Sequence, residues 1–109
     1  MLKDLVIKNR SYRRFHEAFK IGCDTLKELV NLARLSASAA NLQPLKYIIS
    51  CDPHKNSLIF PHLKWAGYLT DWLGPREGER PSAYIIILGD TEITENFGCD
   101  HGIAAQSIL

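Results

Sequence analysis

Apolar positions fall into blocks of alternating period along the 109 residues. In the opening "MLKDLVIKNRSYRRF", Leu2, Leu5 and Val6 recur at helical spacing, which predicts a short amphipathic helix over residues 2–8, ended by Asn9 or Ser11. From Asp24 onward, Leu26, Leu29, Val30 and Ala33 share one helical face. Asp24 or Thr25 is placed to cap this helix, Glu28 lies in its first turn, and it is expected to run to about Ser36. After Pro44 the run "KYIISC" is short, apolar and partly β-branched, and it predicts a strand closed by Asp52 and Pro53.

Between His54 and Leu73 the apolar residues keep helical spacing but are interrupted by Pro61 and Gly67, which predicts two short helices. Trp65, Tyr68 and Trp72 in this segment read as packing residues. "GPREGERP", residues 74–81, is a loop by composition. "AYIIILGD" follows it, apolar at every position from Tyr84 to Leu88, as in a strand covered on both faces. Asp100 is then placed as the N-cap of a last helix, whose stripe of Ile103, Ala104, Ser107 and Ile108 is still in mid-pattern at Leu109. A pattern cut there leads to the expectation that the natural domain continues past Leu109. The order helix, helix, strand, helices, strand, helix describes a layered mixture of helix and sheet with part of the sheet absent, in one domain over 1–109.

Composition narrows the partners. At 46% hydrophobic the chain has material for a core, and a net charge of +1 provides no broad field for nucleic acid. The longest apolar run, five residues, is far below the roughly 20 that a membrane helix needs. Cys23, Cys51 and Cys99 are odd in number and lack CxxC spacing, and no charged-then-apolar leader opens the chain; this reads as a soluble protein of the reducing cytoplasm with free thiols. A zinc site from Cys51, His54, His62, Cys99 and His101 is the weaker alternative, because only Cys51 and His54 have ligand-like spacing. Gly-x-Ser-x-Gly, P-loop and dinucleotide Gly-x-Gly-x-x-Gly motifs are all missing.

Two stretches could carry chemistry. In "NRSYRRF", residues 9–15, Arg10, Arg13 and Arg14 surround Ser11 and could grip a phosphate through charge-assisted bonds, or simply form a solvated basic connection. In "SASAANLQPL", residues 36–45, small residues would admit a flat ligand while Ser38, Asn41 and Gln43 supply hydroxyl and amide groups. The same stretch also reads as a plain helix end and polar turn before Pro44.

In this order the two stretches resemble the nitroreductase family of FMN-dependent oxidoreductases, whose patterns run R-R-S-x-R-x-F and P-S-x-x-N-x-Q-P-W. "RPSAYIIILGD" and "DHGIAAQSIL" are similar to the strand and helix that follow in that family. The resemblance implies an α+β fold, an α/β/α sandwich with a central mixed, mainly antiparallel sheet, incomplete in this chain. It implies FMN as cofactor, NADH or NADPH as electron donor, and a nitroaromatic, quinone or similar acceptor. Arg10, Ser11 and Arg13 match positions that hold the FMN phosphate, with Arg13 also at the N1/C2-carbonyl edge of the ring. Ser38, Ala39 and Asn41 match positions that reach FMN from the partner subunit of a homodimer, and Gln43 supports their turn. No acid, base or nucleophile is implied. Asn9, Ala37, Ala40 and Leu45 depart from the family's usual Arg, Pro, Gly and Trp. The family's further strand, Gly-rich turn and C-terminal basic residue have no counterpart here, which keeps open two other readings: a flavin-free remnant serving as a binding or structural module, and a small regulatory protein binding an anion at Arg10, Arg13 and Arg14.

Overall fold

The computed structural model describes residues 1–109. Helix α1 spans Leu2–Lys8, α2 Cys23–Arg34, α3 Pro53–Ile59 and α4 Asp100–Ile108, with single 3₁₀ turns at Ala39–Asn41 and Phe60–His62. Strands β1 (Leu45–Ser50) and β2 (Tyr84–Gly89) pair antiparallel, from Leu45 opposite Gly89 to Ser50 opposite Tyr84. This is an α+β architecture with a two-stranded sheet, and no helix is long and apolar enough to cross a membrane.

One face of the sheet is covered. Leu45, Tyr47 and Ile49 of β1 are the more buried alternate positions, and the pairing puts Ile87 and Ile85 of β2 on the same side. Helices α2 and α4 pack on each other there, and α2 also packs on β1. Their contact is close because the meeting residues are small: Ala33 and Ala104 are buried, beside Leu26. The Ser36 and Ser107 hydroxyls meet at 2.6 Å across the same seam. The opposite face is open at Ile48 and Leu88, which are 50% and 42% exposed, so the expected two-sided cover of β2 is corrected. An uninterrupted apolar run records a requirement for cover on both faces; within this chain only one face has it.

Helix ends differ from expectation for local reasons. α2 begins at Cys23 on extended Gly22, without a side-chain cap, so neither Asp24 nor Thr25 caps it. Asp52 instead caps α3, accepting from the His54 and Lys55 amides, with Pro53 in the first turn where its missing N–H costs nothing. Residues 63–73 form no second α-helix. Trp65 is held there by tertiary contacts, edge-on to Phe15 and Trp72 with ring centroids 6.4 and 6.3 Å away and tilted on Phe60 at 6.1 Å. Gly74 lies under it at φ +111°, where a Cβ would come within 2.7 Å of the indole. Tyr68 does not join this packing; its side chain is fully exposed.

Two further ties fix the loops. Glu17 accepts from the Gly78 and Arg80 amides at 2.9 and 3.0 Å, and the Phe15 amide donates to the Glu79 carbonyl at 2.8 Å. The Ser50 hydroxyl donates to the buried Asn56 side chain at 2.6 Å, whose amide donates to the Ser82 carbonyl at 2.8 Å. Cys23 and Cys51 form a disulfide that fastens the start of α2 to the end of β1, leaving Cys99 free and exposed. That corrects the expectation of free thiols at Cys23 and Cys51: helix packing on the strand brings together two cysteines that sequence spacing keeps 28 residues apart.

Candidate functional site

The basic stretch follows α1 as irregular chain pinned at Phe15 and Glu17 to residues 78–80. That anchoring leaves its side chains outside. The Arg10 guanidinium donates to the Asn9 carbonyl at 2.7 Å, and Arg13 reaches only the Ser11 carbonyl, at 3.5 Å. Neither has a carboxylate within ion-pair distance, whereas Arg14 lies 3.8 Å from Glu79. Ser11, Arg13 and Arg14 line an open groove of about 770 Å³ together with Tyr68, Leu69, Trp72 and one acid, Asp71. Arg13 is thus the guanidinium of this groove without an ion-pair partner, a group suited to a phosphate or another anion, while Arg10 lies outside the groove lining.

The second stretch is a tight turn between α2 and β1. Ala40, Asn41 and Gln43 all have positive φ, at 51°, 52° and 50°. That conformation is ordinary for Asn but costs about 1–2 kcal/mol for a residue with an unassisted Cβ. Hydrogen bonds hold it. The Asn41 amide donates to the Ser38 carbonyl at 2.9 Å, the Leu42 amide to the Ala39 carbonyl at 3.2 Å, and the Gln43 side-chain amide to the Asn41 side-chain oxygen at 2.9 Å. Ala39, Asn41 and Gln43 are exposed, and the next residue, Pro44, is fully buried and anchors the turn to the sheet. A small cavity of about 120 Å³ behind the turn is lined by Ser38, Gln43, Tyr47, Arg34 and Asp100.

Ser11 and Arg13 thus share one cavity, Ser38 and Gln43 share another, and neither cavity draws on both groups. Cys51 is committed to Cys23, which removes it from the zinc alternative, and no cluster of His, Cys, Asp or Glu is placed to hold a metal ion.

Asp100 was assigned only a capping role by its position in the sequence, and the structure gives it another. It is the first residue of α4, with Cys99 as N-cap, and it is buried at 5% exposure. Its Oδ2 accepts from the Ser38 hydroxyl at 2.7 Å and its Oδ1 from the Ala39 amide at 3.1 Å. The Ser38 bond, then the Ala39 amide, then the neighbouring His101 charge hold its carboxyl below the usual carboxylate range, against the opposing effect of burial. The one sequence signal for this was an acid next to an apolar stripe, and local rules assign such an acid to its own helix. Asp90 is lowered as well, chiefly by Lys46, whose ammonium is 3.0 Å away, and by the Glu92 amide.

A carboxyl whose folded value lies below its unfolded value of about 4 contributes stability above that pH and loses it as pH falls through the folded value. Urea midpoints are therefore expected to stay level, as far as these two groups are concerned, from pH 7 to about 5, and to fall below about 4. Asp100→Asn should flatten that acid slope while lowering the neutral plateau. A midpoint that rose between pH 5 and 3 would contradict both assignments.

No protein-family model and no curated protein matches the chain. Solved structures do. A Clostridium acetobutylicum protein assigned as an NADH oxidase superposes with TM-score 0.70 at 23% identity, over 96% of this chain and 59% of that one. A Parabacteroides distasonis protein assigned as an NADH dehydrogenase/NAD(P)H nitroreductase gives TM-score 0.70 at 19% identity, over 99% and 60%. A nitroreductase family protein from Clostridium difficile gives 0.61 at 18%, over 96% and 58%. The chain spans about three fifths of the length of these structures. At such identities the likeness establishes architecture: the chain has the α+β fold of nitroreductase-family proteins and spans part of it.

Proposed function

We propose that this chain belongs to an FMN-dependent oxidoreductase of the nitroreductase type. The observation that carries the reading is the fold, shared over nearly the whole chain with proteins assigned to NADH and NAD(P)H chemistry. The residues fit the cofactor in kind. Arg10 and Arg13 have guanidinium groups free of carboxylates for a phosphate, and the exposed turn of Ala39, Ala40 and Asn41 has little bulk to obstruct a flat ring. Bound FMN would supply the electron relay between NADH or NADPH and a nitroaromatic, quinone or similar acceptor.

The chain's own residues would bind and orient. Arg10, Ser11 and Arg13 would hold the phosphate and the N1 edge, while Ser38, Ala39 and Asn41, supported by Gln43, would close the site from the second copy in a homodimer. That Ser11 and Arg13 line one cavity while Ser38 and Gln43 line another supports that division between copies. A cytoplasmic setting belongs to this reading, and the Cys23–Cys51 disulfide counts against it, because such bonds are rare in that reducing compartment.

A second reading is a flavin-free module with a binding or structural role. One titration separates the two. Purified protein mixed with FMN is expected to quench its fluorescence with a stoichiometry of one per chain and to elute with it as a dimer. Failure to retain FMN at tens of micromolar would reject the oxidoreductase reading for this chain and leave the module.

A further inference from the structure

The turn that carries Ser38, Ala39, Asn41 and Gln43 is held from outside itself by one buried acid. Asp100 lies 62 residues from Ser38 in sequence, and each of its two oxygens takes one bond from the turn, the Ser38 hydroxyl at 2.7 Å and the Ala39 amide at 3.1 Å. The Ser38 oxygen accepts in turn from the Gln43 amide at 3.1 Å. These bonds form a relay from carboxylate to hydroxyl to amide that spans both ends of a segment with three positive-φ residues.

A serine hydroxyl has one proton to donate and two lone pairs. Here the proton is directed to Asp100 and one lone pair is occupied by the Gln43 amide, so Ser38 has no proton to give a ligand. Its part in any site is to transmit the position of Asp100 to Gln43. We infer that Asp100 is the positioning residue of the Ser38–Gln43 turn, and that Ser38 acts as its relay instead of as a direct donor to the cofactor. This deepens the flavin reading and rests on it for the cofactor, while the relay itself rests on geometry alone.

The consequences are specific to each bond. Ala at position 100 removes both acceptor oxygens, so neither the Ser38 hydroxyl nor the Ala39 amide keeps its partner. Ala at position 38 removes the acceptor of the Gln43 amide and leaves Asp100 free to keep the Ala39 amide. Thr at position 38 keeps the hydroxyl.

Amide hydrogen exchange in the flavin-free protein reads these differences directly. Asp100→Ala is expected to speed exchange about tenfold or more at both Ala39 and Gln43, Ser38→Ala at Gln43 with Ala39 spared, and Ser38→Thr at neither. In FMN titrations, Asp100→Ala and Ser38→Ala should each weaken binding about tenfold, and the double variant should be no weaker than Asp100→Ala alone, as for residues in one network. Unchanged exchange at Ala39 in Asp100→Ala would overturn the relay. Wild-type FMN affinity in that variant, or a double variant with fully multiplied losses, would overturn the positioning role. If the wild-type chain takes up no FMN, the flavin reading falls, and the exchange pattern alone decides whether Asp100 holds the turn.

Discussion

Breaking the Cys23–Cys51 bond is expected to cost the chain about 3–4 kcal/mol. The bond closes a loop across a sequence separation of 28, and the chain-entropy relation for a loop of that size gives about that value. Small domains have only about 5–15 kcal/mol of net stability, and this chain fully buries three hydrophobic residues, Leu26, Ala33 and Ala104. The loss is therefore large against the total. In urea, with a slope of about 1–1.5 kcal/mol per molar for a chain of this size, the midpoint should fall by about 2–4 M on reduction or in Cys23→Ser/Cys51→Ser. Thiol titration gives the matching count: one reactive thiol, Cys99, in the oxidised protein and three after reduction and unfolding. Coincident urea curves with and without reductant would show that the bond does not constrain the unfolded chain, and three titratable thiols before reduction would show that it does not form.

The place of this bond explains its weight. α2 leads at its C-terminal end into the turn of Ser38–Gln43, and β1 leaves that turn at Leu45. The disulfide closes the far end of the same hairpin-like unit, helix start to strand end. At the near end the fastening is the Asp100 carboxylate on Ser38 and Ala39. A turn with three left-handed residues is thus clamped between two cross-links, one covalent and one hydrogen-bonded.

Much of this was legible in the chain. α1 and α4 lie where helical spacing puts them and β1 and β2 where the short apolar runs put them, because each has a side that packs or could pack on something apolar. The Trp65–Trp72 segment was misread as helix because its aromatic spacing satisfies both a helical stripe and a cluster drawn from distant elements, and Phe15, Phe60 and Gly74 settle it in favour of the cluster. The disulfide and the Asp100 relay share a different cause. Each joins residues that become neighbours only on tertiary packing, of α2 on β1 for the disulfide and of α4 beside α2 for the relay, so no local rule can distinguish Cys23 from a loop thiol or Asp100 from an N-cap.

The second large effect concerns Arg13. Its guanidinium has one weak bond, to the Ser11 carbonyl at 3.5 Å, and no carboxylate partner, so the fold spends little on it. Arg13→Ala should leave the far-UV spectrum and the urea midpoint unchanged within about 0.5 kcal/mol, as for an exposed side chain. Against that silent background FMN binding should weaken about 10- to 100-fold, the value of one charge-assisted hydrogen bond of about 1.5–3 kcal/mol. Reduction adds negative charge near N1, so a cation held there favours the reduced side. Removing it should lower the midpoint potential of the bound cofactor by about 30 mV for each 1.4 kcal/mol of lost preference. Arg13→Lys keeps the charge without the planar fork, and it should restore most of the potential while restoring less of the affinity. That split is informative, because a cation that only gripped the phosphate would change affinity and leave the potential alone. An Arg13→Ala protein with weakened binding and an unmoved potential would place Arg13 at the phosphate, and one with neither change would remove it from the site.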